Sequence, residues 1–384
     1  MIIQGKLPGT ENPVNVTIEG GIISHIEPFR EGTLHHFGGP DLYICPGFFD
    51  PQVNGFAGVD FNGKGLTHEG ILRAAQCLAL SGVTRFFPTL ITATHEKIER
   101  QLKILTDALE EYSLLRRMIP GIHLEGPYIS PEDGPRGAHP REAVRPPDWD
   151  EFKRFQKVCN GKIRCITLAP EMEGAIPFIE KVVASGILVG IGHTHASDTV
   201  LEDALRAGAR LSTHLGNGTP AILPRHQNPT QKQLSMDGLM ASIIVDGIHL
   251  PDYVVKNFVR AKGIERILLT TDSMAGAGAP SGRYTLGDLE IEVGPERAAR
   301  LTGTPYLAGS VLTMDRAINN IIRFAGVDLM NALQMARKNG EKLFPEISGE
   351  IVSGHPADIV LFEYQDEIKV EATWVNGEKI EVSK

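Results

Sequence analysis

Five stretches of this sequence end in a side chain of the kind that binds metals or moves protons. They are His123-Leu124-Glu125-Gly126-Pro127, Gly190-Ile191-Gly192-His193-Thr194-His195, Ser212-Thr213-His214-Leu215, Asp246-Gly247-Ile248-His249 and Thr270-Thr271-Asp272-Ser273, and each closes a short apolar, β-branched run. Glu125, His193 and His214 make a two-histidine, one-carboxylate set, typical of catalytic zinc with a position left open for water. The same ligands accept Fe(II), Co(II) or Ni(II). Such an ion lowers the pKa of its water to about 7, which gives a nucleophile at neutral pH. Asp272 is the carboxylate available to take the proton and pass it to a leaving group. A lone histidine at a strand end is more often a hydrogen-bonded structural residue, and Asp272 could cap a helix. Five such residues at equivalent places outweigh those readings.

The elements that must position them alternate in type. Strands are expected at Leu42–Cys45, Thr84–Pro88, Ile119–Leu124, Ile163–Leu168, Leu188–Ile191, Arg210–Thr213, Met240–Val245 and Ile267–Thr271. Helical periodicity follows most of them, at Glu69–Leu80, Glu96–Tyr112, Ala175–Ala184, Asp198–Ala207 and Pro251–Ala261. Two further helices are expected at about 311–324 and 328–337, after a β-hairpin insertion at about 283–306. Eight βα units predict a TIM-type (β/α)8 barrel, whose site forms at the C-terminal ends of its strands. A doubly wound sheet is the alternative, but no GxGxxG follows the first strand.

The two ends of the chain differ from its middle. Residues 1–41 and 349–384 are short β-like pieces with too few apolar residues for separate cores. Pairing both ends into one small β-sandwich domain solves this, with the barrel spanning 42–348.

Composition narrows the function classes. The chain has 384 residues, of which 42% are apolar and 22% charged, values of a globular protein. A formal net charge of -9 argues against bulk binding to nucleic acid or an anionic membrane. No apolar run is long enough to span a bilayer, and Met1–Pro13 lacks the features of a signal peptide. Cys45, Cys77, Cys159 and Cys165 form no CxxC pair, which fits a reduced, cytoplasmic protein.

Specific motifs then carry a resemblance over nearly the whole chain. They are PGFFDPQVNG, GVTRFFPTL, HLEGPYISPEDGPRGAHP, GHTHAS, THLGNG, VDGIHL, LLTTDSMAGAG, LAGSVLTMD and the C-terminal GHPADIVLF. With these the sequence resembles the N-acetylglucosamine-6-phosphate deacetylases of the amidohydrolase superfamily. Many members of that superfamily carry His-x-His at the first strand end, which helps hold a second metal. Gln52-Val53-Asn54 stands there instead, as in the single-metal deacetylases, so the resemblance implies one divalent metal per chain, zinc first. It also implies that His139 holds the N-acetyl carbonyl oxygen. Asn217 and Gly218 would contact the sugar phosphate, and His249 the sugar or its phosphate. Arg225 would reach phosphate across the interface of a homodimer, and Ala138, Leu307, Ala308 and Gly309 would complete the wall. The substrate implied is an amino-sugar phosphate.

One region departs from the family pattern. The usual His-Leu-aromatic-Asn-Ala-Met is His214-Leu215-Gly216-Asn217-Gly218-Thr219 here, and Arg225 is followed by His226-Gln227-Asn228. Gly216 is expected to remove an aromatic wall, and Gly218 to loosen the backbone that cradles the phosphate. A related N-acyl hexosamine, with or without phosphate, is therefore an alternative substrate. His195 and His226 are expected to be loop hydrogen-bonders. A cyclic-amide or N-acyl-amino-acid hydrolase would usually carry His-x-His and a lysine after the fourth strand, where Thr167-Leu168-Ala169-Pro170 stands. A non-catalytic binder would be expected to lose Asp272 or a metal ligand.

Overall fold

A computed structural model describes residues 1–30, 32 and 34–382; Glu31, Thr33, Ser383 and Lys384, all in the expected end domain, lie outside the described residues. Eight parallel strands form one sheet. They are β1 (Phe48–Val53), β2 (Val83–Ile91), β3 (Ile122–Glu125), β4 (Ile163–Leu168), β5 (Leu188–Ile191), β6 (Leu211–Ser212), β7 (Met240–Ile243) and β8 (Ile267–Leu269). Strands adjacent in the chain are adjacent in the sheet. A parallel bridge from Val53 to Ser273 joins the end of β1 to the chain just past β8 and closes the barrel.

The strands read as continuous apolar runs because both their faces are covered. Every residue of β1, β3 and β7 is buried. The helices that follow them present one apolar stripe inward. In Met314–Ala325, for example, Met314, Ala317, Ile318 and Ile321 are buried at helical spacing. Side-chain caps start many of these helices, including Thr67, Thr94, Asp148, Ser197 and Asn228. Helix Trp149–Val158, which fills the gap between β3 and β4, was not anticipated.

The first barrel strand lies further along the chain than expected. Leu42–Cys45 belongs to strand Phe37–Pro46, which pairs parallel with Ile2–Lys6 and antiparallel with Ile359–Tyr364 in the end sheet. That sheet therefore extends beyond residue 41. Two extended runs abut at Pro46-Gly47, and only burial separates them. Ile44 enters the small core with Ile3, Val16 and Trp374, whereas Phe48 enters the barrel core. The two chain ends supply seven strands of one continuous sheet, and its small core takes residues from Ile3 through Trp374. The insertion has one strand more than a hairpin: Gly282–Leu286, Leu289–Val293 and Ala299–Leu301 pair antiparallel. The third is too short to show an alternating pattern.

Candidate active site

Glu125 is the last residue of β3, and His193, His214 and Asp272 follow β5, β6 and β8 within three residues. His193, His214 and Asp272 have φ values of 52°, 31° and 48°. Left-handed backbone in a non-glycine residue costs on the order of 1 kcal/mol or more. Three such residues in one cluster mark strain held in place by the packed barrel. All four side chains are buried.

Glu125, His193 and His214 bring one ligand atom each to within 4.8 Å of one another. His214 Nε2 lies 2.8 Å from Glu125 Oε1, and His193 Nε2 lies 3.4 Å from the same oxygen. The residues fit a cation. His193 Nδ1 lies 2.8 Å from the carbonyl oxygen of Pro135. A carbonyl can only accept, so Nδ1 carries a proton, and in the neutral imidazole Nε2 then turns a lone pair toward the carboxylate. A cation is the species that satisfies both, and a carbonyl behind a ligating histidine is the usual support for one. Burial pushes the Glu125 carboxyl up, but the neighbouring His193 and His214 outweigh it and hold the group well below the usual range.

The amides of Gln52 and Asn54 hold the remaining carboxylate. Gln52 Nε2 donates to Glu125 Oε1 at 2.8 Å and to Asp272 Oδ1 at 3.0 Å. Asn54 Nδ2 donates to Asp272 Oδ1 at 2.7 Å. Burial, then the nearby charge of Glu125, raises Asp272 to about 6. A group tuned in that range can both accept and return a proton near neutrality. His139 lies with its Nε2 3.7 Å from Glu125 Oε2. Burial and the neighbouring His193 lower it to about 3, so the ring is neutral near pH 7.

These groups face a cavity of about 300 Å3. Ala138, His139, Asn217, Gly218, His249, Leu307, Ala308 and Gly309 all line it. Arg225 does not; it is exposed on the loop after β6, and the residues lining the cavity include neither Lys nor Arg. Gly218 does not loosen its segment. Its φ is 58°, its carbonyl accepts from Thr194, and a Cβ there would sit 2.8 Å from His193 Nδ1. The glycine is a point of close approach to the His193 ring. His195 lies 3.0 Å from Glu132 and His226 is exposed, both outside the cluster.

Sequence reasoning missed Asp246, whose Oδ2 lies 2.7 Å from His249 Nδ1. The spacing Asp-x-x-His across a turn was its available signal. It also missed Ile91, Leu286 and Tyr306 in the cavity wall. Leu286 and Tyr306 come from the insertion segment, where no strand-end rule applies.

The amidohydrolase family model matches residues 43–380. This chain belongs to the amidohydrolase family. As an amidohydrolase it is 32% identical over 332 residues to the N-acetylglucosamine-6-phosphate deacetylase of Bacillus subtilis (strain 168), covering 85% of this chain and 82% of that protein. It is 33% identical over 353 residues to the Homo sapiens protein of that name, covering 88% and 83%. Among solved structures, this amidohydrolase is similar to the N-acetyl-D-glucosamine-6-phosphate deacetylase of Mycobacterium smegmatis in complex with N-acetyl-D-glucosamine-6-phosphate. That likeness has a TM-score of 0.88 and 28% identity over 99% of each chain. The deacetylase of Pasteurella multocida matches with a TM-score of 0.87 and 26% identity, again over 99% of each chain.

Proposed function

We propose that this amidohydrolase removes the acetyl group of N-acetylglucosamine 6-phosphate, giving glucosamine 6-phosphate and acetate. The observation that carries the reading is the convergence of Glu125, His193 and His214 within 4.8 Å, beside Asp272 and His139 in one buried cluster. Glu125, His193 and His214 would hold one divalent metal, zinc first, with Fe(II), Co(II) or Ni(II) also compatible with the donors. When bound, the ion supplies Lewis acidity that activates water and polarises a carbonyl.

The chain's own groups do the rest. Asp272 accepts the proton of the attacking water at Oδ1 or Oδ2 and returns it to the departing amine nitrogen. His139 donates from Nε2 to the acyl oxygen as charge develops there. Ala138, Leu307, Ala308 and Gly309 enclose the acetyl group, and Asn217, Gly218 and His249 contact the sugar and its phosphate. Burial of the cluster keeps these dipoles in a low-dielectric setting, where they act strongly. Gln52 and Asn54 occupy the place of a second metal's histidines, which supports one ion per chain.

Arg225 is exposed in its own chain, which supports its acting in the site of a partner protomer of a homodimer. A planar guanidinium suits phosphate. Four unpaired cysteines support a reducing compartment, the cytoplasm. Among the described residues, no helix is long and apolar enough to cross a membrane.

A cavity wall without Lys or Arg favours a second reading, in which an unphosphorylated N-acyl hexosamine is the substrate. Acetate release from a panel of N-acetylated sugars and sugar phosphates decides between them. The first reading expects the highest kcat/KM for the 6-phosphate, and Arg225→Ala should raise KM for that substrate alone. Equal effects on phosphorylated and unphosphorylated sugars would overturn the role of Arg225.

A further inference from the structure

One buried hydroxyl touches the cavity histidine and has no part in the steps above. Thr92 directly follows β2 and is 1% exposed. Its Oγ1 lies 2.8 Å from His139 Nδ1. Its backbone N–H donates to the same nitrogen at 3.4 Å. A backbone N–H can only donate, so Nδ1 must offer its lone pair, and the hydroxyl must then donate as well. In a neutral imidazole the single ring proton is left on Nε2. That nitrogen turns toward the catalytic cluster, 3.7 Å from Glu125 Oε2.

Both partners are pinned from behind. The N–H of Ile91, the residue before Thr92, donates to Asn62 Oδ1 at 2.9 Å. Arg136 Nη1 donates to the carbonyl oxygen of His139 at 2.6 Å. The hydroxyl also occupies space that another residue would deny it. Gly126 has φ 78°, and a Cβ there would sit 2.1 Å from Thr92 Oγ1. The glycine after Glu125 thus makes room for the contact between Thr92 and His139.

The geometry assigns Thr92 as a positioning residue that holds His139 in the tautomer carrying its proton on Nε2. Only that tautomer donates a hydrogen bond to an acyl oxygen in the cavity. The other would point a lone pair at the developing negative charge. The consequence for rate rests on the proposed deacetylation. The tautomer is a property of the protein itself and can be measured without substrate.

The test is nitrogen NMR of the metal-loaded, 15N-histidine-labelled protein at neutral pH, with the His139 signals identified by their loss in His139→Asn. The expected result is an unprotonated Nδ1 and a protonated Nε2. A protonated Nδ1 would overturn the assignment whether or not any sugar is hydrolysed. Turnover supplies the second arm. Loss of a group behind a metal-ligating histidine typically costs about 10–100-fold; by analogy, Thr92→Val should lower kcat by about tenfold with KM little changed. Thr92→Ser, which keeps the hydroxyl, should restore most of it. Thr92→Val with wild-type kcat, or Thr92→Ser as impaired as Thr92→Val, would also overturn the assignment. If the panel shows no deacetylation while the Nε2 proton is found, the functional reading fails and the tautomer assignment stands.

Discussion

Asn54 Nδ2 sits 2.7 Å from Asp272 Oδ1, so an amide from the end of the first strand holds the carboxylate that follows the last. Gln52 reaches the same oxygen at 3.0 Å. Two donors on one oxygen fix the carboxylate's rotation and favour its charged form, against the burial that raises it. Asn54→Asp would replace a donor with a like charge at that contact. We expect kcat to fall by about 10–100-fold, as for other losses of supporting groups, with metal content unchanged. Steady-state kinetics with metal analysis checks this, and wild-type kcat would refute it.

Asp272→Asn removes the proton acceptor and keeps the shape. General acid–base groups contribute about 100- to 10,000-fold, so turnover should fall by at least the lower figure. Metal content should stay at one ion per chain, and substrate binding by calorimetry should persist. Retained turnover would remove Asp272 from its role, and two ions per chain would end the single-metal reading.

Gly218→Ala tests the close approach behind His193. The resembled family carries Ala there, but in this chain the ring occupies the space that methyl needs. A Cβ would meet Nδ1 at 2.8 Å and Cε1 and Cγ at 3.1 Å. The ring cannot simply withdraw, because Nδ1 is held by the Pro135 carbonyl. Chelator competition should show metal affinity weakened by about tenfold or more, the scale of lost ligand orientation. Unchanged affinity, with only a lower Tm of the metal-free protein, would make the glycine a matter of backbone conformation alone.

Lys262 offers a pH test away from the site. Its buried Nζ donates to the carbonyl oxygens of Gln233 and Met236 at 2.7 Å each. Burial lowers its pKa from 10.5 to about 8. Because the folded value is depressed, the unfolded chain binds the extra proton between about pH 8 and 10.5, and stability from this group rises with pH there. Denaturation of wild type and Lys262→Met across that window should show the difference moving in favour of wild type. A flat difference would contradict the depressed value.

Much of this was legible because barrel strands are short, buried on both faces and followed by a functional residue. Glu125, His193, His214 and Asp272 follow directly from that rule. The rule failed at Leu42–Cys45, where an end-sheet strand and β1 meet at Pro46-Gly47 with no change of residue type. Local pattern cannot tell which of two cores an apolar residue enters. It also cannot reveal a close approach, so Gly218 looked like slack before its distance to His193 was known. Arg225 shows a third limit: its residue type suits phosphate, but the cavity of one chain does not include it.

The bridge from Val53 to Ser273 has a consequence for how the protein comes into being. The groups that hold and supply the proton-transfer carboxylate, Asn54 and Asp272, flank that seam from positions 218 residues apart. Contacts of such long sequence separation are costly in loop entropy and tend to form late. A nascent chain carries β3, β5 and β6, and with them Glu125, His193 and His214, before Asp272 has left the ribosome. Under the proposed function, the residues that would hold the metal are therefore synthesised before the carboxylate that would move the proton, and the seam that positions that carboxylate closes only once the last strand is in place.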